Sequence, residues 1–374
     1  MPEDPSDVLG VQERELLARI AAAPRATGSE TLAVTRAICA EYLRELGFDV
    51  RESRFEFSAF PGRFGTPAIG ALVLGLVAAA AHWGARGHRV FPVVALLTGG
   101  VVIAAFGSWL ARRAVLGWPF MRRAGVNLEA SRRGTVRVWL CAHLDSKSQP
   151  IPTLARVVGI AVESMGAAAT LLLAVGAAAG VDAPYGAWVA AAVVTLLGAL
   201  PVVLSVVGDR SPGALDNASG VVTALMAARG LNDVEGIGVL LTDAEELGLA
   251  GADAWASARA PAIVLNCDGV DDGGEITIMF PSAGAANLGQ VIADASGATG
   301  IAHRTRRIPL GVLTDSVAFA RHGSASVTFS RGSWSSLARV HSSRDDLSRL
   351  SGRGIPATAR LLAETARRLA TATI

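Results

Sequence analysis

Two adjacent carboxylates, Glu245 and Glu246, follow an apolar run from Ile237 to Leu241. The run reads as a buried strand. In an open α/β sheet, ligands bind just outside the carboxyl ends of the strands. Neighbouring carboxylates there repel each other unless a cation or a proton intervenes. One can then hold a metal while the other handles a proton. Acids in the first turn of a helix also suit the helix dipole, which is a purely structural use of the same pair.

Four more stretches carry residues of matching chemistry. His143-Leu144-Asp145 closes a strand predicted from Thr135 to Cys141. Alternation places His143 and Asp145 on one face, and a carboxylate so placed can accept the second ring N–H of a metal-bound histidine. Asp216 lies in the turn Gly213 to Gly220 before a helix. It can cap that helix, or give one oxygen to each of two metals. Asp268, in Asn266-Cys267-Asp268-Gly269, ends another strand. His341 lies in the loop Val340 to Asp346 before the last helix. Imidazole combined with carboxylate oxygen suits zinc, and also cobalt or manganese.

Helices are expected at 8–23, 30–47, 218–230, 246–258, 284–296, 315–322 and 356–372. Strands are expected at 48–57, 126–130, 135–141, 237–242, 262–267, 275–280 and 325–330. Hydrophobic residues make up 51% of the 374, charged residues 18%, and mean hydropathy is +0.42. The imbalance is local. No charge occurs from Phe64 to Ala85 or from Val90 to Ala111, and the stretches 157–181 and 183–208 hold only Glu163. Each can cross a bilayer core of about 30 Å. They form two hairpins, with a lipid bilayer as partner. Glu163 is expected near the interface, because the uncharged run from Ser164 is nearly long enough to span alone. The predicted divisions are 1–63, 64–116 (first hairpin), 117–153, 154–208 (second hairpin) and 209–374.

Two hairpins keep every α/β piece on one side of the membrane. The flanks on that side carry Arg112, Arg113, Arg122, Arg123, Lys147, Arg156 and Arg210. The far loops carry Arg86 and Arg89 in one and Asp182 in the other. Positive residues favour the cytoplasmic side, and three cysteines without paired spacing agree. The stretch Met1 to Gly10 is acidic and lacks the apolar core of a signal peptide. The net charge of +2 points to no nucleic-acid partner.

The order His-x-Asp, Asp-Asn-Ala-Ser-Gly, Glu-Glu, a strand-end Asp and a late His resembles the di-zinc exopeptidases of metallopeptidase family 28. Pro24 to Ser29 is similar to the family's N-terminal turn, and Asn127 to Ala130 to its strand before His-x-Asp. Leu313-Thr314-Asp315-Ser316 with Phe319 is similar to a further segment, with Ser316 where the family has histidine. The resemblance implies a doubly wound, mixed and mostly parallel sheet in αβα layers. It implies that His143 and Asp268 hold one Zn2+, Glu246 and His341 a second, and that Asp216 bridges them. Glu245 would be the general base and Asp145 would orient His143. The implied activity is removal of N-terminal residues from peptides. Two other functions are open: a glutaminyl-cyclase-like acyltransferase using one zinc, and an inactive scaffold or transport protein. The insertion between His143 and Asp216 departs from the family, where the two are closer in sequence.

Overall fold

The structure, a computed structural model, describes residues 9–132, 134–281, 286–309 and 312–372. The acidic stretch up to residue 8, the start of the helix expected at 8–23 and residues 284–285 of that expected at 284–296 lie outside them. The chain parts into two units. One comprises Met1–Phe57, Arg122–Ser148 and Asp209–Ile374; the other comprises Ser58–Met121 and Gln149–Gly208.

The first unit is built on eight strands: β1 (Asp49–Ser58), β2 (Arg122–Ser131), β3 (Val138–His143), β4 (Ile237–Thr242), β5 (Ile263–Val270), β6 (Glu275–Phe280), β7 (His303–Arg307) and β8 (Ala325–Gly332). Their order is β1-β2-β4-β3-β5-β8-β6-β7. β4, β3, β5 and β8 are parallel, while β2 and β6 join their outer sides antiparallel. β3 and β4 are apolar almost throughout because both faces of the sheet are covered. Leu140, Val239, Leu265 and Val327 pack with Val221, Leu225, Leu361 and Leu362, from helices Gly220–Gly230 and Gly354–Thr371. On the other face, Cys141, Leu240 and Val264 meet Ala252, Trp255, Ala318 and Phe319, from helices Ala250–Ser257 and Asp315–Arg321. Trp255 stands edge-to-face with Trp139 and Phe319 at 5.2 and 5.6 Å. Burying each such aromatic is worth about 1.5–3 kcal/mol.

This is the mixed, mostly parallel αβα sheet expected. Two local expectations differ. The helix expected from 246 begins at Ala250, because Ala244 and Leu249 adopt φ of 58° and 62°, which no helix accommodates. The stretch His303-Arg-Thr-Arg-Arg307, not expected to be a strand, is made one by pairing with β6.

The second unit holds four helices long and apolar enough to cross a membrane: Phe60–Ala85, Phe91–Gly117 (with a π-helical turn at Leu110–Ala114), Thr153–Ala178 and Tyr185–Val203. The first begins four residues before the uncharged run, with Arg63 in its first turn. The unit therefore begins at Ser58, not 64. Helices Thr153–Ala178 and Tyr185–Val203 touch through glycines. A Cβ on Gly198 would lie 2.2 Å from the Glu163 nitrogen, and one on Gly166 2.3 Å from the Thr195 hydroxyl. Small residues at such contacts let helix backbones close up where no water drives association. The two hairpin loops meet, with both carboxylate oxygens of Asp182 3.2 Å from the Arg89 guanidinium.

Candidate metal centre

The carboxyl ends of β3, β4 and β5 are adjacent, and each delivers residues singled out in the sequence. His143 ends β3 opposite Thr242 at the end of β4. The pairing of β5 with β8 breaks between Cys267 and Val270. That irregularity holds Asp268 and Gly269, and such bulges re-aim side chains beside sites. After β4 the chain turns through Asp243–Leu249, which carries Glu245 and Glu246.

Asp145 fixes that turn. One of its oxygens accepts the Glu245 N–H and the other the Glu246 N–H, each at 3.1 Å. The His143 Nδ1 lies 3.0 Å from the carbonyl oxygen of Asp145 and 3.6 Å from its carboxylate. Asp145 therefore grips both glutamates as well as standing behind the histidine.

Asp216 sits in a turn that starts at Gly213, with φ 62°, where a Cβ would lie 2.4 Å from the Asp216 carbonyl oxygen. The Asp216–Asn217 peptide is cis. The N–H groups of Leu215 and Asp216 donate to the Asp345 carboxylate at 2.7 and 3.0 Å. Asp345 lies four residues beyond His341, so it ties the His341 loop to Asp216. Asn217 accepts from the N–H groups of Gly220 and Gly269 at 3.1 Å and donates to the Cys267 carbonyl at 2.8 Å. It thereby ties Asp216 to the strand carrying Asp268. Arg25 is fully buried. Its guanidinium donates to the carbonyls of Ile20, Leu144, Pro212 and Gly213, which clamps the end of β3 to the Asp216 turn. A second clamp, Arg339 with Ser336 on Asp271, holds the His341 loop beside β5.

The result is two groups of three donors that share one residue: His143, Asp216 and Asp268; and Asp216, Glu246 and His341. Asp216 turns one oxygen to each histidine, Oδ1 at 3.1 Å from His143 Nε2 and Oδ2 at 2.9 Å from His341 Nε2. Asp268 lies 3.7 Å from His143 Nε2, and Glu246 Oε1 3.6 Å from His341 Nε2. That Glu246 oxygen is buried without a hydrogen-bond partner, as a ligand oxygen awaiting a cation would be. The donor set therefore fits two divalent ions. Glu245 belongs to neither group. The other Glu246 oxygen meets the Lys147 ammonium.

The sequence reading thus assembled His143, Asp145, Asp216, Glu245, Glu246, Asp268 and His341 in one place. It missed Arg25, Asn217 and Asp345 as the frame, and Lys147 as a neighbour of Glu246. Two of these had an available signal: Lys147 stands two residues after Asp145, where the chain leaves the end of β3, and Asn217 stands inside the Asp-Asn-Ala-Ser-Gly motif.

Charge is concentrated here. Burial lifts the Glu245 carboxyl well above its ordinary range; His143 opposes this, and Glu246, Asp268 and Asp315 add to it. Burial disfavours the His143 imidazolium, but Glu245 with Asp145, Asp216 and Asp268 outweighs that and raises it well above 6.5. Burial also works against the Asp216 carboxylate, yet the two histidines hold it well below its usual range. Farther out, burial brings both Asp243 and Asp315 up to about 7.

These directions give a test on metal-stripped protein. In the unfolded chain such acids lose their protons near about 4, while in the folded chain Asp243 and Asp315 keep them to about 7. Between those values the folded state binds more protons, so stability falls as pH rises. His143, raised in the folded state, acts in the same direction. Asp216, lowered, acts oppositely, and only at acid pH. The melting temperature of chelator-treated protein should drop between about pH 5 and about pH 8, by an amount on the order of a few kcal/mol in stability. A melting temperature that climbed over that range would contradict the burial argument.

The comparisons with known proteins point the same way. The sequence pattern of Peptidase family M28 matches residues 200–366, which include Asp216, Glu245, Glu246, Asp268 and His341. That segment, 167 of the 374 residues, carries the family's pattern. His143 and Asp145 precede the matched segment and enter the site through the fold. Among solved structures, an aminopeptidase from Aneurinibacillus sp. strain AM-1 is similar at 13% identity and TM-score 0.54, covering 96% of this chain and 93% of that one. A zinc aminopeptidase from Bacillus subtilis is similar at 13% identity and TM-score 0.54, covering 94% and 93%. A glutaminyl cyclase from Porphyromonas gingivalis is similar at 14% identity and TM-score 0.55, covering 95% and 96%. At these identities the likeness is one of fold. No curated protein matches. The matched segment and the fold together support a zinc metallopeptidase.

Proposed function

We propose that this chain is a membrane-anchored M28 aminopeptidase that holds two zinc ions. The observation carrying the reading is the shared carboxylate, since Asp216 offers one oxygen to each of two histidine-containing donor groups. His143 and Asp268 would hold one ion, Glu246 and His341 the other, and Asp216 both. Such a pair supplies Lewis acidity toward a peptide carbonyl and lowers the pKa of water. Glu245, in the same pocket but outside both donor groups, takes the proton from the attacking water and delivers it to the leaving amine. Asp145 holds Glu245 and Glu246 by their backbone N–H groups and so fixes the base relative to the ligands.

The direct test is digestion of a peptide library by the purified, zinc-loaded full chain. Stepwise loss from the N-terminus is expected, with N-acetylated peptides resistant and C-terminally amidated ones cut. Trimming from the C-terminus would reject the aminopeptidase assignment.

One observation favours a second reading. Lys147 places a cation of the chain itself against Glu246, where a second ion would compete with it. A one-zinc acyltransferase of the glutaminyl-cyclase kind would follow. Peptides beginning with glutamine would then lose ammonia and cyclise, and the bound metal would count one zinc per chain. Two zincs with hydrolysis sustain the first reading.

The bilayer belongs to the same proposal, with both hairpins spanning and the peptidase unit on the cytoplasmic side. The arginine-rich flanks favour that sidedness. The Arg89–Asp182 pair puts both far loops at one end of the helical unit, as two hairpins inserted in the same direction require. With Cys39, Cys141 and Cys267 removed, cysteines at Gly87 and Asp182 should react with an impermeant maleimide in intact cells. A cysteine at Ser342 should react only after the membrane is opened. The opposite labelling would place the peptidase unit outside the cytoplasm.

A further inference from the structure

Glu163 is the one acid on the four apolar helices, and it is buried inside their unit at 5% exposure. Its Oε1 has no hydrogen-bond partner. Three helices enclose it. Its backbone nitrogen lies against Gly198, and its Oε2 lies 3.7 Å from where a Gly70 Cβ would stand, next to Val202. Helix Thr153–Ala178 begins well before the uncharged run from Ser164, so Glu163 is not at its end. At 1.5 Å per residue Glu163 stands about 15 Å from the start of a helix about 39 Å long. Wherever a core of about 30 Å is laid along that helix, Glu163 is at least about 6 Å inside it.

Among the described residues no ion pair to Glu163 is found. The charged or titratable side chains on the helices packed against it are Arg63 and His82 on Phe60–Ala85, Arg156 on its own helix, and Tyr185 on Tyr185–Val203. Helix Phe91–Gly117 carries only Arg112 and Arg113, in its last two turns. Arg63 and Arg156 are each seven residues, about 10 Å, along their helices from the contact. They donate to the Val207 carbonyl and to Gln149 respectively. A bare carboxylate in such a place costs far more than an uncharged acid, which carries only the smaller cost of an unpaired polar group.

We propose that Glu163 is a proton-binding site within the membrane-spanning bundle, carrying its carboxyl as the neutral acid at the junction of three helices at neutral pH. This rests on the membrane reading above. The neutral acid meets the Gly70–Val202 contact without a counter-ion, which is why a polar group is tolerated where glycine-lined helices close up.

The test uses the full chain reconstituted in phospholipid bilayers, with flotation of the vesicles after an alkaline wash as the check on membrane insertion. A chain that stays with the wash fails the membrane reading itself, before this site is addressed. For the inserted protein, infrared spectra at neutral pH are compared between wild type and Glu163→Gln. The other buried acids are common to both spectra and cancel. The expected difference is one carbonyl stretch of a protonated carboxyl, lost in the variant and shifted in heavy water. Loss of carboxylate stretches in its place would overturn the proposal. Glu163→Leu is the second variant. A bundle built around a neutral acid accepts both uncharged replacements, so failure of both to fold would equally overturn it.

Discussion

Glu245→Gln removes turnover and leaves the metal in place. Glutamine keeps the size and the backbone N–H that Asp145 accepts, and it cannot take a proton. Glu245 lies outside both donor groups, so no metal ligand is lost. Removing a positioned general base lowers rates by about 10²- to 10⁴-fold, and the variant should fall by at least that much in peptide hydrolysis. Zinc measured by mass spectrometry on the same preparation should match the wild type. Wild-type activity would remove Glu245 from the mechanism. Loss of zinc with activity would mean that Glu245 and Glu246 exchange roles.

Asp216→Ala empties the centre more completely than any other single change. His143, Asp268, Glu246 and His341 each serve one group, while Asp216 serves both. With two zincs bound it would also carry negative charge between two cations. Unit charges 4 Å apart at an effective dielectric of 20 interact by about 4 kcal/mol, and two dications by about four times that. Without Asp216 that repulsion is unshielded just as each ion loses a ligand. Zinc per chain should fall toward none in Asp216→Ala, and by about one ion in Asp268→Ala or His341→Ala. An Asp216→Ala protein that folds and retains two zincs would leave Asp216 with only a structural part in its turn.

The fold and the chemistry were legible for one shared reason. Strands buried on both faces are written as unbroken apolar runs, and whatever polar residue stops the run stands at the functional edge of the sheet. His143, Asp268 and the two glutamates all stand within a few residues of where such a run stops. The frame around them was not legible, because its partners are far apart in sequence. Arg25 reaches carbonyls at 144, 212 and 213, and Asp345 caps residues 215 and 216. No local pattern marks such pairs. β7 was hidden for another reason. It is an exposed edge of histidine and arginines, with no apolar alternation and a neighbour on one side only. The late start of the helix at Ala250 was hidden because the left-handed positions are held by Ala244 and Leu249, where a sequence reader looks for glycine or asparagine.

The strand order has a consequence for how the protein is made. β4 lies between β2 and β3 in the sheet but is translated after both, with the whole second hairpin in between. At about 5–20 residues per second, the ribosome takes roughly 5–20 s to pass from the end of β3 to the end of β4. Through that interval β2 and β3 have no common neighbour, and His143 waits without Glu245 and Asp268. The peptidase unit therefore cannot close during early synthesis. It forms only after the last of the four apolar helices has left the ribosome, so a competent peptidase unit follows the second unit in synthesis.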